Sequence, residues 1–277
     1  MTLQSDLPAR LDDGFFHRAQ LGITTFVRVV FALILREMRT RYTKSRLGYA
    51  NAFVSPLLQK AFLLIGMLAI NRHPQYGTSL FLFIWTGLAA FHTFSMITSK
   101  SMGSLNIPTG VNFIPTVTLF DFFLARVILE FLTVSLVSIL GFIFIYLFDT
   151  HQAMPSSLAP LFVSIGLLTM LGMGVGMINA VISHFFKSWR TLWGAFSVVL
   201  LFGSAVMRVL EFFPAQIRNI LLWNPIAHGV EYFRLAFYPT YPSYFLDVKY
   251  LAMCAVVLFL LGFILVRVMR RRLVEGT

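Results

Sequence analysis

The chain has 277 residues, of which 58% are hydrophobic and 12% are charged, with a net charge of +11 and one cysteine, Cys254. Soluble domains carry about 25% charged residues, so this composition predicts a membrane protein. Nucleic acid is not an expected partner, because the cations lie beside apolar segments rather than on a basic surface. One cysteine excludes an intrachain disulfide and a cysteine metal cluster.

The first distinctive segment covers residues 22–46. Its uninterrupted apolar run, Val29–Leu35, is too short to cross a bilayer, yet apolar positions cover a broad helical face. Four arginines beside this run suit lipid headgroups: Arg28, Arg36, Arg39 and Arg41. The pattern predicts an amphipathic helix in the cytoplasmic interface, and a plain positive-inside anchor is the alternative.

Six apolar stretches approach the roughly 20 residues that cross about 30 Å of hydrocarbon. They are Ser55–Ile70, Leu80–Ile97, Phe122–Phe148, Leu158–Ile182, Leu192–Val209 and Tyr250–Val266. We therefore predict an all-α polytopic membrane protein with six transmembrane helices between residues 55 and 266. Residues 1–277 are expected to form a single transmembrane domain.

The placement of Lys and Arg predicts the orientation. With six spans both termini lie on one side, and that side receives sixteen of the 22 Lys and Arg residues, against five on the other side. Since cations concentrate in cytoplasmic loops, both termini are expected in the cytoplasm. The opening residues also lack the pattern of a cleaved signal peptide. Lys60 remains inside the first span, where it is either a pathway residue or a side chain that snorkels.

The cytoplasmic loop between the second and third spans has the pattern of a docking element. Four helix breakers interrupt it: Gly103, Pro108, Gly110 and Pro115. Apolar residues such as Ile107 and Phe113 lie between them, enough for a short helix but too few for a domain. Exposed apolar side chains predict a partner, and a loop folded back on its own bundle is the alternative.

The external segment at residues 207–249 is predicted to hold two short helices in the outer leaflet, which begin at Pro214 and Pro225. Asn224 suits the N-cap and Pro225 the first helical position of the second helix. His228, Glu231 and Arg234 then repeat every three residues along one face, where Glu231 can pair with either neighbour. A catalytic zinc site needs three protein ligands, so we interpret this trio as a paired polar stripe on a half-buried helix. Direct contact with a substrate is the alternative.

Motifs of catalysis and nucleotide binding are absent from the sequence. The chain has no G-x-x-x-x-G-K-[ST] phosphate loop, no G-x-S-x-G elbow and no H-E-x-x-H helix. We therefore expect no enzyme activity of the chain by itself, no cofactor and no metal.

Four segments in a fixed order carry a family resemblance: REMRTRY, then SRLGYANAFVSPL entering the first span, then DFFLARVILEF, and finally WNPIAHGVEYFR before the last span. This arrangement resembles the membrane subunit of ABC exporters of polysaccharides, especially the capsular polysaccharide export permeases of Gram-negative bacteria. The resemblance covers nearly the whole chain. Lys60 departs from it, which leaves the lining of the path open.

The resemblance implies a bacterial inner-membrane protein in which two copies pair and each copy docks a cytoplasmic ATP-binding subunit that holds ATP and Mg. A lipid-linked polysaccharide would pass through a tunnel between the copies. Further partners implied are a periplasm-spanning polysaccharide co-polymerase and an outer-membrane export protein. Carried over, the gate helix is Phe26–Arg41, the coupling element is Asn106–Thr116 and the re-entrant helices are Arg208–Phe237.

The site residues that follow fall into three groups. Coupling to the ATPase is assigned to Asn106, Ile107, Pro108, Asn112 and Phe113. Entry of the lipid phosphate is assigned to Arg36, Arg39, Arg41 and Arg46, the densest cationic cluster near the inner headgroups. The substrate path or external gate is assigned to Lys60, Trp223, His228, Glu231 and Arg234.

Other functions stay open at this stage. The cargo could be O-antigen, teichoic acid or a small lipophilic drug. A polytopic membrane transferase would need acids or histidines inside the spans, which offer almost none beyond His92 and Glu130. A channel or secondary transporter would usually show internal repeats, and the two halves show no convincing repeat.

Overall fold

The computed structural model describes residues 24–39, 48–70, 73–103 and 118–275. Within these ranges the chain forms nine α-helices, two short 3-10 helices and no strand, so the all-α prediction is confirmed. The helices are α1 (residues 24–39), α2 (Gly48–Ile70), α3 (Leu80–Met102), α4 (Leu119–Phe148), α5 (Leu158–Phe185), α6 (Trp189–Phe202), α7 (Ala215–Leu221), α8 (Pro225–Arg234) and α9 (Val248–Glu275).

Four helices of the described chain, α3, α4, α5 and α9, are long and apolar enough to cross a membrane. They coincide with the second, third, fourth and sixth predicted spans. The first predicted span lies in α2, whose described apolar stretch is Leu57–Gly66. The fifth differs, because α6 ends at Phe202 rather than continuing to Val209. A total of six crossings stays a prediction.

Helix α3 forms the centre of the bundle and packs against α2, α4, α5 and α8. Two of its buried threonine hydroxyls bond to the backbone of the same helix. Thr86 donates to the carbonyl of Phe83 at 2.8 Å, and Thr93 donates to that of Ala89 at 2.9 Å. The main core cluster is built on buried α3 residues and their neighbours, including Leu82, Phe83, Leu88, Phe94, Leu168, Leu171, Val230 and Leu251.

Helices α5 and α9 pack closely where glycines remove the side chain. A Cβ built on Gly174 would lie 2.5 Å from the backbone nitrogen of Phe259, and one on Gly262 would lie 2.7 Å from the carbonyl oxygen of Gly174. Small residues at such crossings let two backbones approach in the membrane. Each glycine is therefore required by the contact.

The two ends of α4 contact different parts of the chain. Near its start, buried Ala125 packs with Val30 and Leu33 of α1. Farther along, the ring of Phe142 stacks on that of Phe237, just after α8, at a centroid distance of 4.6 Å. Helices α1 and α8 consequently lie toward opposite ends of the bundle, which we call the α1 end and the α8 end.

The segment after α6 turns back before the two short helices begin. Gly203 closes α6, and Ala205 follows with a positive φ of 54°. Helix α7 starts directly after Pro214, and α8 starts at Pro225. The predicted pair of short helices is confirmed, and its re-entrant position in the membrane stays a prediction.

Candidate functional site

Asn224 caps the start of α8 and also bonds to the end of α6. The Asn224 side chain accepts a hydrogen bond from the backbone N–H of Ile226 at 3.0 Å, and Pro225 occupies the first turn, where no N–H is needed. Its amide also donates to the carbonyl of Gly203 at 2.8 Å and to the hydroxyl of Ser204 at 3.0 Å. The cap therefore fixes α8 to the end of α6.

Arg234 ends α8 and is fully buried, at 0% exposure. Its guanidinium donates to the carbonyl of Ala205 at 2.8 Å and to that of Val206 at 2.5 Å. It also lies over the ring of Phe83 on α3, 4.0 Å from the centroid. Arg234 thus joins three elements, since its own helix, the turn after α6 and α3 all meet at this side chain.

Glu231 supplies the charge that balances Arg234. The two side chains approach to 3.4 Å, and the Tyr241 hydroxyl donates to the same carboxylate oxygen at 2.9 Å. Burial raises the pKa of Glu231 to about 7, against the opposing effects of Arg234, of Tyr241 and of a backbone hydrogen bond from Leu210. At 1% exposure, this carboxylate is held inside protein rather than against lipid.

His228 bonds to backbone on both sides of its ring. The N–H of Asp247 donates to Nδ1 at 3.1 Å, so the proton lies on Nε2, which donates to the carbonyl of Leu222 at 3.0 Å. The ring is buried at 2% exposure and packs edge-on against Tyr250. His228 therefore joins the end of α7 to the start of α9 as a neutral imidazole.

Gly87 on α3 provides the space that the Arg234 guanidinium occupies. A Cβ at this position would lie 2.6 Å from Arg234 Nη2 and 2.6 Å from the carbonyl oxygen of Val206. Sequence reasoning missed both Gly87 and Tyr241, because they lie on other elements. The only signal was a glycine within an otherwise strong helical pattern, which often marks a close backbone approach.

His228, Glu231 and Arg234 are all buried, and we call this trio the α8 polar cluster. Glu231 and Arg234 bond to each other, whereas His228 bonds to backbone groups. The predicted pairing of Glu231 with a neighbour is confirmed for Arg234. The prediction of a half-buried helix is wrong, since eight of the ten residues of α8 are buried. The cluster is arranged to hold the α8 end together, and no group of three or more potential metal ligands occurs in the described ranges.

Lys60 of α2 lies inside the bundle at 2% exposure. Its ammonium donates to the hydroxyl of Ser138 on α4 at 3.0 Å and lies 5.0 Å from the ring centroid of Trp85 on α3. The Trp85 ring fits against Gly141, where a Cβ would overlap it, and donates to the carbonyl of Ser138 at 3.2 Å. Lys60 therefore makes a polar connection between α2 and its neighbours α3 and α4.

Helix α1 carries Arg36 and Arg39 of the predicted cationic cluster, and Arg41 and Arg46 lie outside the described residues. Between the first two, Glu37 forms an ion pair with Arg126 of α4 at 3.0 Å. Together with the apolar contacts of Val30 and Leu33, this pair fixes α1 against the start of α4. The sequence predicted the helix and did not predict this contact.

The family profile described as ABC-2 type transporter matches residues 28–238 of the chain. The match covers more than half of the sequence and extends from α1 through α8. The chain belongs to the ABC-2 type transporter family.

Relatives within this family align over nearly their full length. The polysialic acid transport protein KpsM of Escherichia coli is 33% identical over 250 residues, which cover 90% of this chain and 96% of the relative. The capsule polysaccharide export inner-membrane protein BexB of Haemophilus influenzae is 28% identical over 241 residues, 87% and 90% of the two chains. CtrC of Neisseria meningitidis serogroup A, which carries the same description, is 24% identical over 235 residues, 85% and 88%.

The structure describes one of the two remaining groups of predicted site residues. The coupling residues Asn106, Ile107, Pro108, Asn112 and Phe113 lie outside the described residues. Among the predicted path residues, Trp223 alone is open to its surroundings, at 81% exposure, whereas Lys60 and the α8 polar cluster are buried. Direct substrate contact by the buried residues stays a prediction.

Proposed function

We propose that this ABC-2 chain is the membrane subunit of an ATP-driven exporter that moves a lipid-linked capsular polysaccharide from the cytoplasm to the periplasm. Two copies form the translocation tunnel, and residues 1–277 act as one transmembrane domain. The observation that carries the proposal is the alignment with two capsule polysaccharide export proteins and one polysialic acid transport protein over at least 85% of this chain.

The membrane placement follows from the same relatives, two of which are named inner-membrane proteins. We place both termini in the cytoplasm, so that the α1 end faces the cytoplasm and the α8 end faces the periplasm. The separation of α1 and α8 along α4 agrees with this orientation. A co-polymerase and an outer-membrane export protein would then meet the chain at the α8 end.

The exporter requires a source of energy outside this chain. We propose that each copy binds a cytoplasmic ATP-binding subunit, which carries ATP and Mg, through the segment Asn106–Thr116. Apolar Ile107 and Phe113 would insert into a groove of that subunit, because buried apolar anchors carry most of the energy of small interfaces. The lipid phosphate would be drawn to Arg36, Arg39, Arg41 and Arg46.

Co-purification tests the class of the protein. The tagged chain is expressed with its untagged neighbouring proteins and purified in mild detergent, and capsule on the cell surface is measured in parallel. We expect an ATP-hydrolysing protein to co-elute in equal amounts and surface polymer to be lost when the chain is deleted. A purified chain with no ATPase, in cells that keep their capsule after the deletion, would contradict the proposal.

The variant Phe113→Ala tests the coupling element within the same assay. We expect normal membrane abundance of the chain, reduced co-purification of the ATPase and polymer retained inside the cell. Lys100→Ala, at the exposed end of α3, is the control and should change neither readout. Full ATPase binding and export in Phe113→Ala would move the coupling role to another segment, with α1 the next to test.

A further inference from the structure

A side chain near the start of α4 contacts two other helices at the α1 end. The Nε atom of Arg126 lies 3.0 Å from Oε1 of Glu37 on α1. The same guanidinium lies against the end of α3, because a Cβ built on Gly103, the C-cap of that helix, would be 3.1 Å from Nη1. Three helices therefore meet at Arg126, which is not among the residues assigned above to coupling, entry or the substrate path.

The charge of Arg126 suits both of these contacts. The last carbonyls of a helix have no partner within the helix and give its C-terminal end a negative potential, which favours a nearby cation. Arg126 supplies that cation for α3, and the Glu37 carboxylate carries the opposite charge on α1. The two side chains are 18% and 19% exposed, so water screens their ion pair less than a pair on the open surface.

The same part of α4 also holds α1 by apolar packing. Buried Ala125, the residue before Arg126, packs with Val30 and Leu33 of α1. The start of α4 thus attaches α1 by two different kinds of contact. A change of charge at the ion pair leaves the apolar contact in place, so the two contributions can be separated by substitution.

The end of α3 and the start of α4 flank the proposed coupling segment Asn106–Thr116. A capping box fixes the start of α4, where the Asp121 carboxylate accepts from the Thr118 N–H at 2.7 Å and the Thr118 hydroxyl oxygen accepts from the Asp121 N–H at 3.3 Å. Helices α3 and α4 also share a buried apolar cluster at this end of the bundle. A force on the coupling segment therefore acts on two helix ends that pack together, and Arg126 connects them to α1.

We propose that Arg126 is a positioning residue that transmits displacement of the coupling segment to α1 through Glu37. When the ATP-binding subunit moves the segment, the ends of α3 and α4 move with it, and the ion pair carries α1 along. Because α1 holds the arginines proposed for entry of the lipid phosphate, entry and ATP hydrolysis become linked, and this linkage acts in both directions. The inference rests on the proposed function for the identity of the segment and of its partner.

Charge reversal tests the connection in the complete complex, purified with its ATP-binding subunit, with polymer on the cell surface measured in parallel. Arg126→Glu and Glu37→Arg each bring two like charges together. We expect each variant to keep the ATP-binding subunit and its ATP hydrolysis, because the docking residues are unchanged, and to lose surface polymer about fivefold or more. The double variant Arg126→Glu, Glu37→Arg restores opposite charges and should recover much of the export. Recovery should be partial, since a carboxylate at position 126 faces the negative end of α3.

Lys100→Glu is the matched control, because it reverses an exposed charge at the end of α3. It should leave hydrolysis and export unchanged. Glu37→Gln removes one charge without reversing it, should also reduce export, and keeps the test valid where a reversal prevents insertion into the membrane.

Three results would overturn the inference. The first is full export in the reversed and neutralised variants, and the second is a double variant that exports no more than the single ones. The third is loss of the ATP-binding subunit in step with export, which would show that Arg126 only supports the docking surface. Absence of any ATP-hydrolysing protein from the wild-type complex would instead count against the proposed function.

Discussion

At the scale of single residues, the α8 polar cluster shows how an arginine is kept inside an apolar bundle. Arg234 has a carboxylate, a phenol and two backbone carbonyls as partners, and the positive φ of Ala205 lies in the turn that presents those carbonyls. A buried ion pair contributes little net stability, but breaking it leaves one charge without compensation. The cluster should therefore be far less tolerant of a single change than of a paired one.

Replacement of Arg234 tests this asymmetry. Arg234→Met should lower stability by about 3–5 kcal/mol, because it removes the partner of the buried Glu231 and leaves the carbonyls of Ala205 and Val206 without their donor. Glu231→Gln should cost about 1–3 kcal/mol, more than the loss of a surface pair. The double variant Glu231→Gln, Arg234→Met should recover part of the loss. Thermal unfolding of the purified protein, followed by tryptophan fluorescence, gives the ranking; a double variant no better than Arg234→Met would contradict it.

The hydrogen bond between Lys60 and Ser138 predicts opposite effects on stability when one or the other partner is replaced. Ser138→Ala should destabilise the protein by about 1–3 kcal/mol, because the buried ammonium loses its acceptor. Lys60→Met should be neutral or stabilising, because no buried charge remains and Ser138 keeps its bond to the carbonyl of Val134. The fraction of each purified variant that stays monodisperse after heating measures its stability. Equal loss in the two variants would show that the amine itself stabilises α2.

Local sequence could predict only part of these sites. The Asn224 cap, the Pro225 start and the pairing of Glu231 with Arg234 depend on neighbours within three positions, so the pattern was sufficient. Tyr241, Gly87 and the carbonyls after α6 belong to other elements. Their meeting depends on how those elements pack, which no local spacing encodes.

At the scale of elements, α6 shows where a hydropathy pattern is insufficient. The apolar run continues to Val209, and this predicted a helix of that length. The helix ends at Phe202, and Val206 and Val209 are buried in the segment that follows. Val206 and Val209 therefore fill the core beneath α8. The hydropathy pattern could not predict this, because a buried turn and a spanning helix both need apolar residues. For the long apolar runs of α3, α4, α5 and α9, the hydropathy pattern predicted the helices correctly.

The crossing of α5 and α9 offers a test of glycine at a helix contact. Gly174→Ala should cost about 1–3 kcal/mol, because its methyl group would meet the α9 backbone and the two helices would have to separate. Gly166→Ala, on the same helix with no atom within 4 Å of a built Cβ, is the control and should be neutral or slightly stabilising. Unfolding temperatures of the two variants settle the comparison, and equal values would show that the contact adapts without cost.

At the scale of the whole molecule, orientation is the property on which the coupling, entry and exit assignments depend. Single cysteines at Thr150 and Gln216, in a Cys254→Ser background, should react with a membrane-impermeant maleimide in intact cells. A cysteine at Ser188 should react only after the cells are opened, because it lies on the face with more cations. Mass shifts on a gel report the labelling. The reverse labelling pattern would show the opposite orientation of the chain in the membrane and would contradict all three assignments.

The self-bonded hydroxyls of α3 bear on how the protein is made. This helix leaves the ribosome before α5, α8 and α9, the neighbours that later cover it, and chains fold from the N-terminus during synthesis. A helix entering lipid must satisfy its polar groups internally, and Thr86, Thr93 and Thr98 do so through carbonyls three or four residues earlier. These three hydroxyls can thus be satisfied in the bilayer before the helices that later cover them have been translated.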